Sequence, residues 1–335
     1  MIRKIFLGVS LLAIAGVWTG CSNDEVMDAT SSEARAIDFR VQGGVPAVSR
    51  TTTTTKDKVD AFVVYGTDDV ATANIFDGVT VARVAETATY TYSPLRYYSV
   101  GAAYADFVAY SPVSAKMTSS VPASLTTSAP FNYELAAPNS TGTTAQDDLL
   151  VSAMRVEDND FNNSVSFTFQ HALSRLFVKA SNPLNEIITI KSLTLNNLYS
   201  KGTITATYSS GWTWGWGNSQ NTAKPYSFIL PDTGVALPAG ADKQQVVSAE
   251  QGMMVIPQTT VDNGDETLDS GEFNIEISYI IGNQTASQTR NFFFKQTLTF
   301  DISTQYAILI SFTGLNEIEF AITDVGGFTA GDDIP

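Results

Sequence analysis

Residues 164–182 read Ser-Val-Ser-Phe-Thr-Phe-Gln-His-Ala-Leu-Ser-Arg-Leu-Phe-Val-Lys-Ala-Ser-Asn. Val165, Phe167 and Phe169 alternate with Ser and Thr, which puts all three on one face of a strand. The alternation stops at His171-Ala172-Leu173-Ser174 and resumes at Leu176 and Val178. Two strand patterns joined by so short a break describe a corner, where one β body hands over to the next. We therefore place a domain boundary at residue 172, with a first domain over 36–172 and a second over 173–335.

The pattern extends both ways from this corner. On the N-terminal side, Ile37, Phe39 and Val41 alternate with Asp38, Arg40 and Gln42 and end at Gly43-Gly44. Strands are also expected at Val59–Tyr65, Tyr104–Tyr110 and Leu149–Met154. A hairpin over Ala88–Tyr92 and Arg96–Val100 is expected to turn at Ser93-Pro94. Residues 113–145 lack a clear period and read as a long loop with one strand near Phe131–Leu135. Toward the C-terminus, strands are expected around Ile188 and Ile190, Leu193 and Leu195, Ile204–Tyr208, Tyr226–Leu230 and Gly252–Pro257. Further ones follow at Phe273–Tyr279, Phe292–Phe300, Tyr306–Phe312 and Ile318–Ile322. Short strands separated by turn signals, with no helical apolar spacing, predict an all-β chain of antiparallel sandwiches. The abundance of Thr, Val, Ile, Phe and Tyr fits pleated, half-buried surfaces.

Composition narrows the function. Of 335 residues, 34 are acidic and 19 basic, a formal net charge of −15. Such a surface repels nucleic acid and anionic membranes. There is one cysteine, so no intramolecular disulfide forms and packing must hold the fold. That cysteine, Cys21, ends a leader. Arg3 and Lys4 precede an apolar run from Ile5 to Val17, and small Thr19-Gly20 precede the thiol. The run is shorter than the roughly 20 residues that span a bilayer as a helix, and it matches a secretory signal peptide over 1–20. The small pair before Cys21 resembles a bacterial lipobox, in which the thiol is acylated; Trp18 departs from the usual aliphatic residue. An ordinary signal with a leftover thiol is the alternative. Residues 21–35 are polar and acidic, a lipidated tether.

Little in the chain points to catalysis. The single histidine, His171, sits at the corner and reads as structural. No cysteine–histidine cluster suits zinc and no glycine-rich loop suits phosphate. Asp262, Asp265, Glu266, Asp269 and Glu272 lack the spacing of a calcium loop and read as a solvated hairpin. The paired carboxylates Asp68-Asp69 and Asp147-Asp148 have no matching acidic partners for glycoside hydrolysis. We expect no enzyme activity, no cofactor and no metal. Trp212, Trp214 and Trp216 would share one strand face. On an outer face they would form a platform for glycan contact; on an inner face they are core.

Several stretches, taken together, carry a resemblance. The Cys21 leader, Val48-Ser49-Arg50-Thr51, Phe167–Asn182, Tyr226–Pro231, Gly252–Gln258 and Gln305–Phe312 follow the order seen in Bacteroidetes fimbrillins. Phe169-Gln170-His171-Ala172-Leu173-Ser174-Arg175-Leu176 resembles that family's F-x-H-A-L stretch. Many relatives carry Trp after the last strand, where this chain has Val325-Gly326-Gly327-Phe328.

The resemblance implies two transthyretin-like β-sandwich domains in a fimbrial subunit, exported to the outer membrane through lipid on Cys21. It implies a trypsin-like protease cutting after an arginine, here Arg50, with Arg40 and Arg35, or no cleavage at all, as alternatives. Cleavage removes the strand of Ile37, Phe39 and Val41, and a neighbouring subunit's strand fills the groove. Ile318, Phe320 and Ile322 are the donor residues, or else simply the last strand of their own domain. Partners would be other fimbrial subunits and surface ligands of host or bacteria, with no nucleic acid. A surface lipoprotein binding glycan through the three tryptophans is the rival reading.

Overall fold

The computed structural model describes residues 36–42, 59–85, 87–119, 125, 127–136, 146–217, 223–248, 252–261, 272–294, 297–314 and 317–327. Cys21, Arg35, Arg50 and the acidic residues 262–269 lie outside them. In chain order the first strands are β1 (Phe39–Val41), β2 (Ala61–Asp68), β3 (Phe76–Arg83), β4 (Tyr90–Thr91), β5 (Tyr104–Ser111), β6 (Met117–Ser119), β7 (Ser128–Glu134) and β8 (Leu150–Glu157). Next come β9 (Val165–Phe167), β10 (Gln170–His171), β11 (Ser174–Asn182), β12 (Ile188–Tyr199), β13 (Lys201–Tyr208), β14 (Trp212–Gly217), β15 (Ala223–Ser227) and β16 (Val235–Leu237). The last are β17 (Ala241–Val247), β18 (Met253–Val255), β19 (Gln258–Thr260), β20 (Asn274–Ile281), β21 (Gln288–Phe293), β22 (Leu298–Phe300), β23 (Thr304–Ser311) and β24 (Glu319–Gly327). Among the described residues there is no α-helix, only a 3-10 turn at Asp158–Asp160.

A six-stranded antiparallel sheet, ordered β10-β8-β5-β2-β3-β4, organises the first half. Strands β2 and β5 are buried on both faces, so their sequences run nearly continuously apolar rather than alternating. Phe62, Val64 and Phe107 enter one core, with Ile37, Phe39 and Phe167. Val63, Tyr65, Val108 and Tyr110 enter the other. That second core is closed by a four-stranded sheet, β14-β13-β7-β6. It continues between two five-stranded sheets, β17-β11-β23-β24 with β18 on β11, and β15-β12-β20-β21 with β16 on β12. Gly66 stands opposite Phe107; a Cβ there would lie 2.4 Å from the ring, so the close approach of that phenyl requires glycine.

The corner at 164–182 is visible as a change of partner. Strand β9 pairs with β1, β10 with β8, and β11 with β17, β18 and β23. Two of these ladders, β1–β9 and β11–β23, are parallel, a departure from the wholly antiparallel expectation. Residues around Lys191-Ser192 form not two strands but one, β12, with a register shift between Ile190 and Ser192. A bulge absorbs the one-residue slip from Ile190 to Leu193, keeping both side chains inward. The expected second arm of a hairpin, Arg96–Val100, is not a strand. Its Tyr98 instead stacks on Phe161, with centroids 3.8 Å apart. Strands β3, β6, β10, β16, β17 and β19 were not anticipated.

A polar tie joins the six-stranded and four-stranded sheets. Arg155 on β8 makes a two-pronged contact with buried Asp106 on β5, at 2.9 and 2.7 Å. Its guanidinium lies 3.7 Å from the centroid of Tyr104 and 3.9 Å from that of Tyr208 on β13. Trp212 donates its indole N–H to Asp106 at 3.1 Å. The hydrogen bond to Asp106 is the main reason the Arg155 pKa is raised. Arg155→Ala leaves a buried carboxylate without its cation and is expected to cost about 3–5 kcal/mol in urea unfolding.

Candidate functional site

Strand β1 occupies the seat that matters. Ile37 and Phe39 are buried and Val41 half-buried, while Asp38 and Arg40 face solvent. The alternation read from the sequence is thus the alternation in space. Phe39 stacks on Phe167 at 5.7 Å and 9°, and meets Phe76, Tyr92, Phe107 and Phe62 edge-on at 5.1–6.1 Å. Edge-to-face and offset contacts at such distances are favourable beyond the area they bury. The five rings come from β2, β3, β5, β9 and the segment after β4, so the box stands on elements other than β1 itself.

The backbone of β1 is held on both sides. Val165 N–H donates to the Asp38 carbonyl at 2.7 Å, and Gln42 N–H donates to the Phe167 carbonyl at 2.8 Å. On the other side, Ile37 N–H donates to the Arg96 carbonyl at 2.9 Å. The Tyr92 hydroxyl donates to the Ile37 carbonyl at 2.6 Å. Burial pushes the Tyr92 phenol up, so it keeps that proton at neutral pH. The ladder to β9 spans only three residue pairs. Arg40 bonds Ser164 at 3.0 Å on the exposed face.

Ile318 immediately precedes β24, and Phe320 and Ile322 lie near the start of that strand, which pairs antiparallel with β23 over eight positions. Strand β24 ends its sheet. Ile318 is buried, but Phe320 and Ile322 are only half-buried. The Phe320 ring rests against Phe292 of β21 at 4.3 Å.

The three tryptophans share one face of β14, and that face packs on the second core. Trp214 lies against Phe131, Trp216 against Tyr133, and Trp216 donates to the Ala172 carbonyl at 2.7 Å. This is the inner-face arrangement. His171 is buried, with Nδ1 2.8 Å from Asp148. Asp68 accepts the N–H groups of Val70, Ala71 and Ser99, and Asp69 that of Ala103, so both pin loops. Glu272 is buried, its carbonyl accepting from Asn197. Among the described residues no three His, Cys, Asp or Glu side chains converge as a metal site.

A family model described as fimbrillin-like matches residues 47–324. No curated protein matches the chain. Similar solved structures include a candidate cell adhesion protein of Bacteroides uniformis, 15% identical, TM-score 0.48, covering 88% of this chain and 98% of that one. Another is a fimbrial assembly protein of Parabacteroides distasonis, 11% identical, TM-score 0.40, covering 88% and 97%. The fimbrial anchor protein Mfa2 of Porphyromonas gingivalis is 8% identical, TM-score 0.33, covering 88% and 100%.

The seat makes a contrast testable by substitution. Phe39→Ala should destabilise the intact chain by about 3–5 kcal/mol. Arg40→Ala, losing one exposed hydrogen bond, should stay within about 0.5 kcal/mol. Urea unfolding of the two variants measures the difference.

Proposed function

The chain belongs to the fimbrillin-like family, and from that premise we propose that it is a structural subunit of cell-surface fimbriae, exported as a lipoprotein, whose first strand is a removable plug. Lipid on Cys21 holds the precursor at the outer membrane. A trypsin-like protease cuts after Arg50, with Arg40 and Arg35 as alternatives, and a strand from a neighbouring subunit takes the vacated place. The division into residues 36–172 and 173–335 belongs to this proposal, with β13 and β14 completing the first body. The subunit works by assembly and supports adhesion; it has no catalytic role.

The seat of Phe39 carries the reading. A three-pair ladder is a short hold for a strand whose side chains fill a five-ring box. Departure of β1 would uncover that box and strip partners from the Val165 N–H and the Phe167 carbonyl. An apolar slot beside unpaired backbone groups is what strand addition requires. The position of Arg40 within β1 favours cutting elsewhere, since backbone held in a ladder resists a protease cleft. Arg50 lies between Ser49 and Thr51, in a polar stretch.

Limited digestion of the full-length protein with trypsin tests this. Mass spectrometry should show a new N-terminus at Thr51, and gel filtration should show multimers that the untreated chain lacks. Arg50→Ala should slow both changes at least tenfold. An N-terminus that persists through Ile37–Val41, or a trimmed chain that stays monomeric, overturns the proposal.

A further inference from the structure

The tryptophans of β14 face inward, so the same strand turns Thr213, Gly215 and Gly217 outward. Glycine weakens a strand, and inside one it marks a bulge, a bend or the close approach of a ligand or another backbone. The ladder between β13 and β14 runs without a register shift from Thr203 opposite Gly217 to Tyr208 opposite Trp212, so no bulge is present. Neither glycine has a positive φ. A Cβ at Gly215 would meet nothing within 4 Å, and one at Gly217 would make an ordinary contact, 3.6 Å from the Thr203 carbonyl oxygen. The fold itself therefore asks for glycine at neither place.

The bare strip runs into a charged one. Across the outer face of this sheet, Pro130, Thr205 and Gly215 form one row, and Thr118, Asn132, Thr203 and Gly217 the next. Glu134 and Lys201 form a third row, which Lys116 extends: its carbonyl accepts from the Glu134 N–H at 3.2 Å. Lys116, Thr118, Asn132, Glu134 and Lys201 help to line a cavity of about 430 Å³. The Lys201 ammonium lies 3.3 Å from one Glu134 oxygen, and that of Lys224 on β15 lies 3.7 Å from the other. The hydrogen bond from Lys201 is the main reason the Glu134 pKa is lowered, and the charges of Lys116 and Lys224 add to it. Three ammonium groups around one carboxylate leave a local excess of positive charge on a chain whose net charge is −15. Each ammonium carries three donors, so a single carboxylate does not exhaust them.

We infer that this outer face binds an acidic polysaccharide, with a sugar carboxylate among Lys116, Lys201 and Lys224 and a neighbouring neutral sugar lying over Gly215 and Gly217. Rows two residues apart and strands side by side give three rows on four strands a face of about 14 Å each way. Its floor is made for hydroxyl partners. Thr118 is exposed and Thr203 and Thr205 are half-buried. The Thr203 hydroxyl donates to Asn132 at 2.8 Å and keeps its lone pairs for an incoming donor. Sparse charge suits the site. Duplex nucleic acid carries a charge about every 1.7 Å of its axis, and an anionic membrane is a continuous sheet of charge. Most of either would lie against the acidic remainder of the chain and be repelled. A glycan with acid and neutral sugars in alternation matches a cationic end beside a neutral floor. The tryptophans, on the reverse face of β14, take no part.

Titration calorimetry of the full, untrimmed chain tests the inference, so its outcome does not depend on whether β1 leaves. The probes are a hyaluronan octasaccharide, in which glucuronate alternates with a neutral sugar, its methyl ester and an oligodeoxythymidine. The octasaccharide should bind, and more weakly as salt is raised; the ester and the oligonucleotide should bind at least tenfold more weakly. Lys116→Gln combined with Lys201→Gln should weaken the octasaccharide at least tenfold. Gly215→Thr combined with Gly217→Thr should weaken it as much, while the melting temperature holds or rises, because threonine suits an exposed strand better than glycine. A merely structural role for the two glycines gives the reverse, a lower melting temperature with binding intact. No binding by the parent chain, equal binding of the ester or the oligonucleotide, or parental binding by either double variant overturns the proposal.

Discussion

The six-stranded sheet has no face to give to water. Strands β2 and β5 carry large apolar side chains on both sides, and leaving either side bare would forfeit about 1.5–3 kcal/mol for each exposed Val or Phe. The architecture follows from covering both. One side is covered by β7, β13 and β14, a sheet drawn from distant parts of the chain, and Tyr65 and Tyr110 meet Phe131 across that layer. The other side has a thinner cover, chiefly β1, β9 and the segment around Tyr92 and Tyr98. A thin cover over a demanding surface makes β1 more consequential than its three residues suggest.

The thicker side is secured differently. Apolar contact alone is non-directional, and two sheets packed only by oil-like surfaces would be free to slide. The Arg155–Asp106 pair, gripped between Tyr104 and Tyr208 and completed by the Trp212 indole, fixes their register with directional bonds. The tryptophan face that would otherwise suit a carbohydrate is engaged in that closure.

Much of this was legible in the sequence where period two held. Ile37, Phe39 and Val41, and Val165 with Phe167, are inward as their alternation predicts. Strand β3 was missed because Gly78, with φ of +67°, interrupts Phe-Asp-Gly-Val-Thr-Val, and only Phe76 and Val81 are fully buried. Arg96–Val100 imitated a strand because Tyr98 is inward, but stacking on Phe161 rather than a ladder holds it there. The site was half legible. Alternation located β1, but the five aromatic partners of Phe39 come from segments with no local signal linking them. Nor does a three-residue strand announce whether its neighbour runs parallel, since that is decided by where β9 happens to lie. The polar tie was invisible for the same reason: Asp106 and Arg155 are 49 positions apart.

The parallel course of β1 along β9 gives the seat an arrow. In the proposed assembly, an incoming strand that reuses the same hydrogen bonds would have to enter in the same direction. Under the proposed assembly, the contact between neighbouring subunits would join two different surfaces, the donated strand of one and the first core of the next. Such a heterologous contact has no two-fold axis, and unless its rotation happens to close a ring it propagates without limit. A filament built this way has distinguishable ends, one presenting an empty seat and the other an undonated strand, so growth and capping become chemically separate events.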